Sequence, residues 1–179
     1  MGVNVTTVSK SDIQRVDLLM ILVTLGTQDK SFIRLLEAIQ KAIELGYIHD
    51  EVVVQAGLTN FKSNDMRIFD FIPPEEFDSL MRKADLIITH GGVGTIIAAL
   101  KDNKVVIAAP RLKEFAEHTN NHQIEIIKKL NASGCILPLW DMNDLPNVLL
   151  AAKSFKPQPL ISNTNNIIDL IRDYLNDLT

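Results

Sequence analysis

Two short segments of this sequence gather the groups that could hold an anion and a polyhydroxy ligand. The first, His90-Gly91-Gly92-Val93-Gly94-Thr95, places three glycines between an apolar run and a helical pattern. Glycines let the backbone turn tightly and converge several N–H groups, and the start of the following helix adds partial positive charge. That combination suits a phosphate or diphosphate. Thr95 would cap the helix or donate its hydroxyl to a phosphate oxygen. A sharp strand-to-helix turn is the plainer reading of the same glycines, but their clustering exceeds what a turn needs. The second segment runs from Pro110-Arg111 through Glu117-His118 to Asn120-Asn121-His122-Gln123. Asn and His are ordinary caps in a first turn; Glu, His, Asn, His and Gln in one run are not. Asn121, His122 and Gln123 offer donors and acceptors together, which suits the hydroxyls of a sugar.

Several anion-binding chemistries are excluded by spacing. A dinucleotide fingerprint needs G-x-G-x-x-G at the first strand-to-helix turn and an acid about 20 residues on. Here Ile97 stands at the third glycine, and the next strand ends at Ala109-Pro110-Arg111 with no acid. No P-loop occurs, and no Asp-x-Asp pair is present to bridge a diphosphate through a metal. A diphosphate would therefore rest on the loop amides, with Arg111 as the available cation. His118 and His122 are four apart, but the pattern lacks the Glu of H-E-x-x-H and a third ligand, so no metal is expected. His118, Glu117 and His90 are the candidate general bases. A strand-end histidine bonding a backbone carbonyl is the competing reading of His90. Cys135 and Trp140 read as packing residues.

The elements that must position these segments are legible from hydrophobic periodicity. Apolar runs at Met20–Leu25, Glu51–Ala56, Met66–Phe71, Asp85–Thr89, Lys104–Ala109 and Cys135–Pro138 predict strands. Helical patterns fall at Ser31–Glu44, Pro74–Lys83, Thr95–Lys101, Glu117–Leu130, Asp141–Ser154 and Asn163–Leu178. Strands apolar on both faces, alternating with helices, imply one α/β domain: a Rossmann-like, doubly wound parallel sheet. In such sheets ligands bind at the carboxyl ends of the strands, where Gly26-Thr27, Gly57, Phe71-Ile72, the His90 loop and the 110–123 segment all fall. Residues 1–19 are polar and aperiodic, an arm, a remnant of expression or an upstream start; the domain is expected over 20–179. The final helical pattern carries Ile167, Ile168, Ile171, Tyr174, Leu175 and Leu178 on one stripe, suited to covering the sheet or docking on a partner.

Composition narrows the classes. The 179 residues suit one domain, and 18 basic against 22 acidic side chains give a net charge of −4, which argues against a nucleic-acid partner. With 46% hydrophobic and 6% aromatic residues, the core must be largely aliphatic. The single cysteine allows no internal disulfide and points to a reducing compartment. No apolar run approaches the roughly 20 residues of a membrane span, and no signal peptide is apparent, so a cytoplasmic protein is expected.

Val23-Thr24-Leu25-Gly26-Thr27, Asp85 to Thr95 and Asn120-Asn121-His122-Gln123 occur in an order and spacing that resemble the C-terminal domain of family 28 glycosyltransferases. The resemblance covers about Met20 to Leu130. It implies the donor-binding half of a GT-B enzyme, inverting and metal-independent, with no cofactor and a UDP-sugar as donor. The family's roles would place the diphosphate on Gly91, Gly92, Val93, Gly94 and Thr95, and the uracil on the Phe71-Ile72 backbone. The donor sugar would meet Asn121, His122 and Gln123, and Gly26-Thr27 would face the reaction centre. Within the family the chain resembles single-domain proteins that form half of a two-chain enzyme. Pro110-Arg111, Phe115 and Glu117-His118 are most similar to the bacterial capsule and exopolysaccharide branch. Its members pair with a membrane-associated, acceptor-binding subunit and act on a lipid-linked sugar at the inner face of the membrane. The alternatives are a UDP-GlcNAc transferase subunit of lipid-linked oligosaccharide synthesis, and a nucleotide-binding scaffold for a membrane partner. One departure matters: where relatives carry a ribose-gripping glutamate, this chain has Ala98. The family's base usually lies on the other half, so it could reside on the partner.

Overall fold

The computed structural model describes residues 20–159. The first 19 residues and the helical pattern at Asn163–Leu178 lie outside them. Six strands, β1 (Met20–Thr24), β2 (Glu51–Gln55), β3 (Arg67–Phe69), β4 (Leu86–His90), β5 (Val105–Ala109) and β6 (Leu137–Pro138), form one sheet ordered β3-β2-β1-β4-β5-β6. Every pairing is parallel. Five α-helices accompany them: α1 (Ile33–Glu44), α2 (Pro74–Lys83), α3 (Val93–Lys101), α4 (His122–Ala132) and α5 (Leu145–Ala152). The expected doubly wound sheet is the observed one.

Alternation along each strand divides the core into two layers. Ile21, Val23, Val52, Val54, Leu86, Ile88 and Ile107 face α1 and α5, meeting Leu35, Leu36, Ile39, Leu145 and Leu149. Met20, Leu22, Val53, Ile87, Val106 and Ala108 face the other way, against Met81 of α2, Ile96 and Ala99 of α3, and Ile127 and Leu130 of α4. Each fully buried aliphatic side chain contributes about 1.5–3 kcal/mol, and the fully buried Phe32 joins them in the first layer. Cys135 is buried in the second layer, as its apolar context predicts.

Two helices differ from expectation, each for a local reason. The helix expected from Glu117 begins only at His122. The intervening polar side chains bind backbone amides instead: Glu117 accepts from Leu112 N–H, Asn121 from Lys113 N–H and Asn120 from His122 N–H. Such local bonds compete with helical ones. The helix expected from Asp141 opens as a 3-10 turn over Met142–Asp144, with the Asp141 carboxylate accepting from Asn143 N–H, and becomes α-helical at Leu145.

The strand order reverses between β1 and β4, and the carboxyl ends of these strands are where an open α/β sheet is expected to form its ligand crevice. Thr24 pairs with Thr89 across that junction, and the Thr89 hydroxyl donates to the Thr24 carbonyl at 3.1 Å. The chain therefore brings Gly26 and the His90–Gly92 turn side by side, from positions more than 60 residues apart.

Candidate functional site

The glycines of the loop serve two different ends. A side chain at Gly92 would strike the His90 ring, and one at Gly91 would come within 2.6 Å of the Gln123 Cβ. Packing explains both. Gly94 is different: a Cβ there meets nothing within 4 Å. It lies in the first turn of α3, whose N-cap is Gly92 and whose N-terminus has no side-chain cap. Thr95 is thus not the cap its position suggested; it sits inside the first turn. First-turn N–H groups of a helix have no intrahelical acceptors, so this uncapped turn offers donors beneath open space. Gly26 closes the opposite wall. Its φ of +77° suits glycine, and a Cβ there would collide with His90 Nε2.

Gln123 fixes the floor of the crevice. Its Oε1 accepts from Gly91 N–H at 3.1 Å and from Arg111 N–H at 3.0 Å, joining the loops after β4 and β5. With that oxygen committed, its amide NH2 faces His90 Nδ1 at 3.4 Å. The side chain, expected at the donor sugar, is buried and braces the two loops through its carbonyl oxygen. Asn121 Oδ1 is likewise occupied by Lys113 N–H, while His122 stands exposed at the head of α4.

Arg111, expected as the diphosphate cation, has its guanidinium turned to backbone carbonyls. It is 1% exposed, and its guanidinium donates to the carbonyls of Leu25 and Lys30 at 2.5 Å each and of Glu117 at 3.3 Å. Its buried Nε has no acceptor among the described residues. Glu117 is not a free base. Its carboxylate takes a two-pronged bond from Arg34, at 2.6 and 2.9 Å, besides Leu112 N–H at 3.0 Å. Arg34 was missed by sequence reasoning, because nothing in the local pattern of α1 marks it as the partner of a residue 83 positions away. The same holds for Gln28, whose amide lies 3.5 Å from His118 Nε2.

The histidines differ in electrostatics. Burial pushes the His90 imidazole down to about 3, with the Arg111 charge and then His118 adding to it, so the ring is neutral at physiological pH. The Gln123 NH2 fixes Nδ1 as acceptor, which puts the proton on Nε2 beside Gly26. Burial also lowers the pKa of His118, partly offset by hydrogen bonding with Asn120. Its Nδ1 lies 3.2 Å from the Asn120 backbone nitrogen and its Nε2 3.5 Å from the Gln28 amide, so both ring nitrogens are engaged. Neither ring turns an unengaged lone pair to the crevice.

Phe71 and Ile72 follow β3 at the far edge of the sheet, three strands from β4, or on the order of 14 Å at usual strand spacing. Phe71 is exposed and Ile72 buried. Gly57, whose N–H is held by the Asp70 carbonyl at 2.8 Å, lines the same edge. The carboxyl edge thus runs from Phe71 past Gly57, Gly26 and the His90 loop to the 110–121 segment. Among the described residues no helix is long and apolar enough to cross a membrane.

A parallel sheet of this order, with helices on both faces and an uncapped helix at its switch point, defines a Rossmann-like α/β domain. The chain belongs to the family described as glycosyltransferase family 28 C-terminal domain, whose model matches residues 20–171. Two curated relatives are the UDP-N-acetylglucosamine transferase subunit ALG13 of Candida albicans and of Debaryomyces hansenii. The first is 35% identical over 75 residues, covering 41% of this chain and 24% of the relative. The second is 25% identical over 136 residues, covering 72% of this chain and 61% of the relative. The match thus spans less than two thirds of either relative's length. A kitacinnamycin glycotransferase structure aligns with a TM-score of 0.57 at 16% identity, over 86% of this chain but 39% of that one. The solution structure of ALG13 aligns at 0.54 and 19% identity, over 84% of this chain and 93% of that one. These likenesses show the fold. The curated relatives are yeast proteins, not members of the expected bacterial branch.

Proposed function

We propose that the chain is the donor-binding subunit of an inverting, metal-independent UDP-sugar glycosyltransferase that acts on a lipid-linked acceptor together with a membrane-associated partner. The observation that supports this most is the open, uncapped first turn of α3 beneath Gly94, at the switch point of a family 28 domain. The diphosphate rests on the amides of Gly92 to Thr95, the uracil lies toward the Phe71-Ile72 backbone, and the sugar extends toward His122 and Asn121. Departure of UDP is stabilised by the helix dipole and by amides already aimed at the developing charge. His90 stays neutral and donates through Nε2; Gln123 and Arg111 hold the walls.

The general base comes from the partner. Glu117 is sealed by Arg34, and both ring nitrogens of His118 are engaged. For the acceptor we favour a bacterial polysaccharide intermediate, because Ala98 leaves α3 without the ribose-gripping acid of the other branches. The names of the two curated relatives favour a second reading, UDP-GlcNAc transfer in lipid-linked oligosaccharide synthesis.

A thermal-shift series with UDP, UDP-glucose, UDP-GlcNAc, NAD and ATP tests the donor class. Stabilisation by UDP and UDP-sugars alone is expected; stabilisation by NAD and not UDP would sink the reading. Transfer by the co-expressed pair should survive removal of both His118 and Glu117 carboxyl and imidazole groups, whereas its abolition would return the base to this chain.

A further inference from the structure

Three charges meet in the wall of the crevice, and one carboxylate must choose between two guanidinium groups. Glu117, with a side chain 5% exposed, gives both oxygens to Arg34, which is 17% exposed. Arg34 also donates to the Pro110 carbonyl at 2.6 Å, and its guanidinium lies over the rings of Phe32 and Phe115, 5.1 and 4.9 Å from their centroids. Arg111 is left to the backbone and to the Phe32 ring, whose centroid lies 5.4 Å from its guanidinium. Its two terminal nitrogens hold the carbonyls of Leu25 and Lys30, the two ends of the loop that carries Gly26 and Thr27. Its Nε has no acceptor among the described residues, although the charges of Glu117 and Asp29 both act on the guanidinium. A buried ion seeks its counter-ion strongly once desolvated, so Arg111 keeps to carbonyl oxygens only while Glu117 is held elsewhere.

We infer that Arg34 is a positioning residue: by occupying Glu117 it keeps Arg111 on the 25–30 loop and so fixes Gly26 and Thr27 against the crevice. Without Arg34, Glu117 turns to Arg111, draws it off Leu25 and Lys30, and frees the loop. The glycine turn after β4 is unaffected, because Gln123 holds it independently. The consequence for catalysis rests on the proposed transferase reading; the effect on the loop does not.

Hydrogen exchange on the full chain tests it without ligand or partner. In Arg34→Met, amides of residues 25–32 should exchange about tenfold faster. In the double variant Arg34→Met/Glu117→Gln, which removes the competing carboxylate as well, exchange should return to within about twofold of wild type. Should Arg34→Met fail to fold, Glu117→Gln alone should leave 25–32 within about twofold while loosening 110–121. Unchanged exchange at 25–32 in Arg34→Met, a double variant no slower than the single, or loosening of 25–32 by Glu117→Gln would each overturn the inference. In the assembled transferase, Arg34→Met should lower kcat about tenfold with the donor KM within about twofold, and the double variant should recover kcat. A wild-type chain that ignores UDP yet shows this exchange pattern would refute the function and leave the positioning role standing.

Discussion

Replacing Gly94 with aspartate should stabilise the ligand-free protein and abolish its response to UDP, two effects of opposite sign from one charge. Gly94 lies in the first turn of α3, where a Cβ meets nothing within 4 Å. Aspartate is a better helix former than glycine by a few tenths of a kcal/mol, and a negative charge in a first turn adds about 0.3–1 kcal/mol. A net gain of about 1 kcal/mol raises Tm by about 2–4 °C in a domain of this size. The same carboxylate occupies the field a diphosphate would use. UDP at a hundred times its Kd stabilises by about 2.7 kcal/mol, or on the order of 5–10 °C, and in Gly94→Asp this shift should vanish. Gly92→Ala is the contrasting control. Its methyl strikes the His90 ring, so overpacking should cost about 1–3 kcal/mol before any ligand is added. Differential scanning fluorimetry with and without UDP reads all three proteins. A full UDP shift in Gly94→Asp would refute diphosphate binding over this turn. A lowered ligand-free Tm in that variant would refute the open space on which the argument stands.

Gln123→Leu should destabilise by about 2–4 kcal/mol, since the amides of Gly91 and Arg111 both lose a buried acceptor, and Gln123→Glu should recover much of this; urea denaturation checks both. His90, with its folded pKa depressed to about 3, contributes stability that is full above its unfolded pKa near 6.5 and is lost as pH falls below it. Between pH 7 and 5 this amounts to about 2 kcal/mol, and His90→Gln should flatten the pH dependence of unfolding by that amount. Burial raises the Cys135 pKa, so the thiol should resist a disulfide reagent at pH 8 in the native chain and react at once in denaturant.

The sequence by itself determined the class of fold and the place of the site. Aliphatic runs at Met20–Leu25, Asp85–Thr89 and Lys104–Ala109, buried on both faces and separated by helical stripes, leave a parallel sheet as their only economical arrangement. The glycines of 91–94 were visible for the same reason, because backbone freedom is written in residue type. Periodicity and type act locally, over a few residues. What the side chains of 110–123 do was decided only in three dimensions. Their polarity suggested ligands, but Gln123, Arg111 and Glu117 are consumed by backbone groups and by Arg34, brought close only when β1, β4 and β5 lie side by side. The late start of α4 has the same origin, since the side chains of Glu117, Asn120 and Asn121 bind backbone amides across this segment in place of a helical turn. Which of three glycines faces open space depended on where His90 and Gln123 packed. Pairings across 60 to 90 residues leave no local mark, because burial and the demand to satisfy every buried polar group are settled by the whole fold at once.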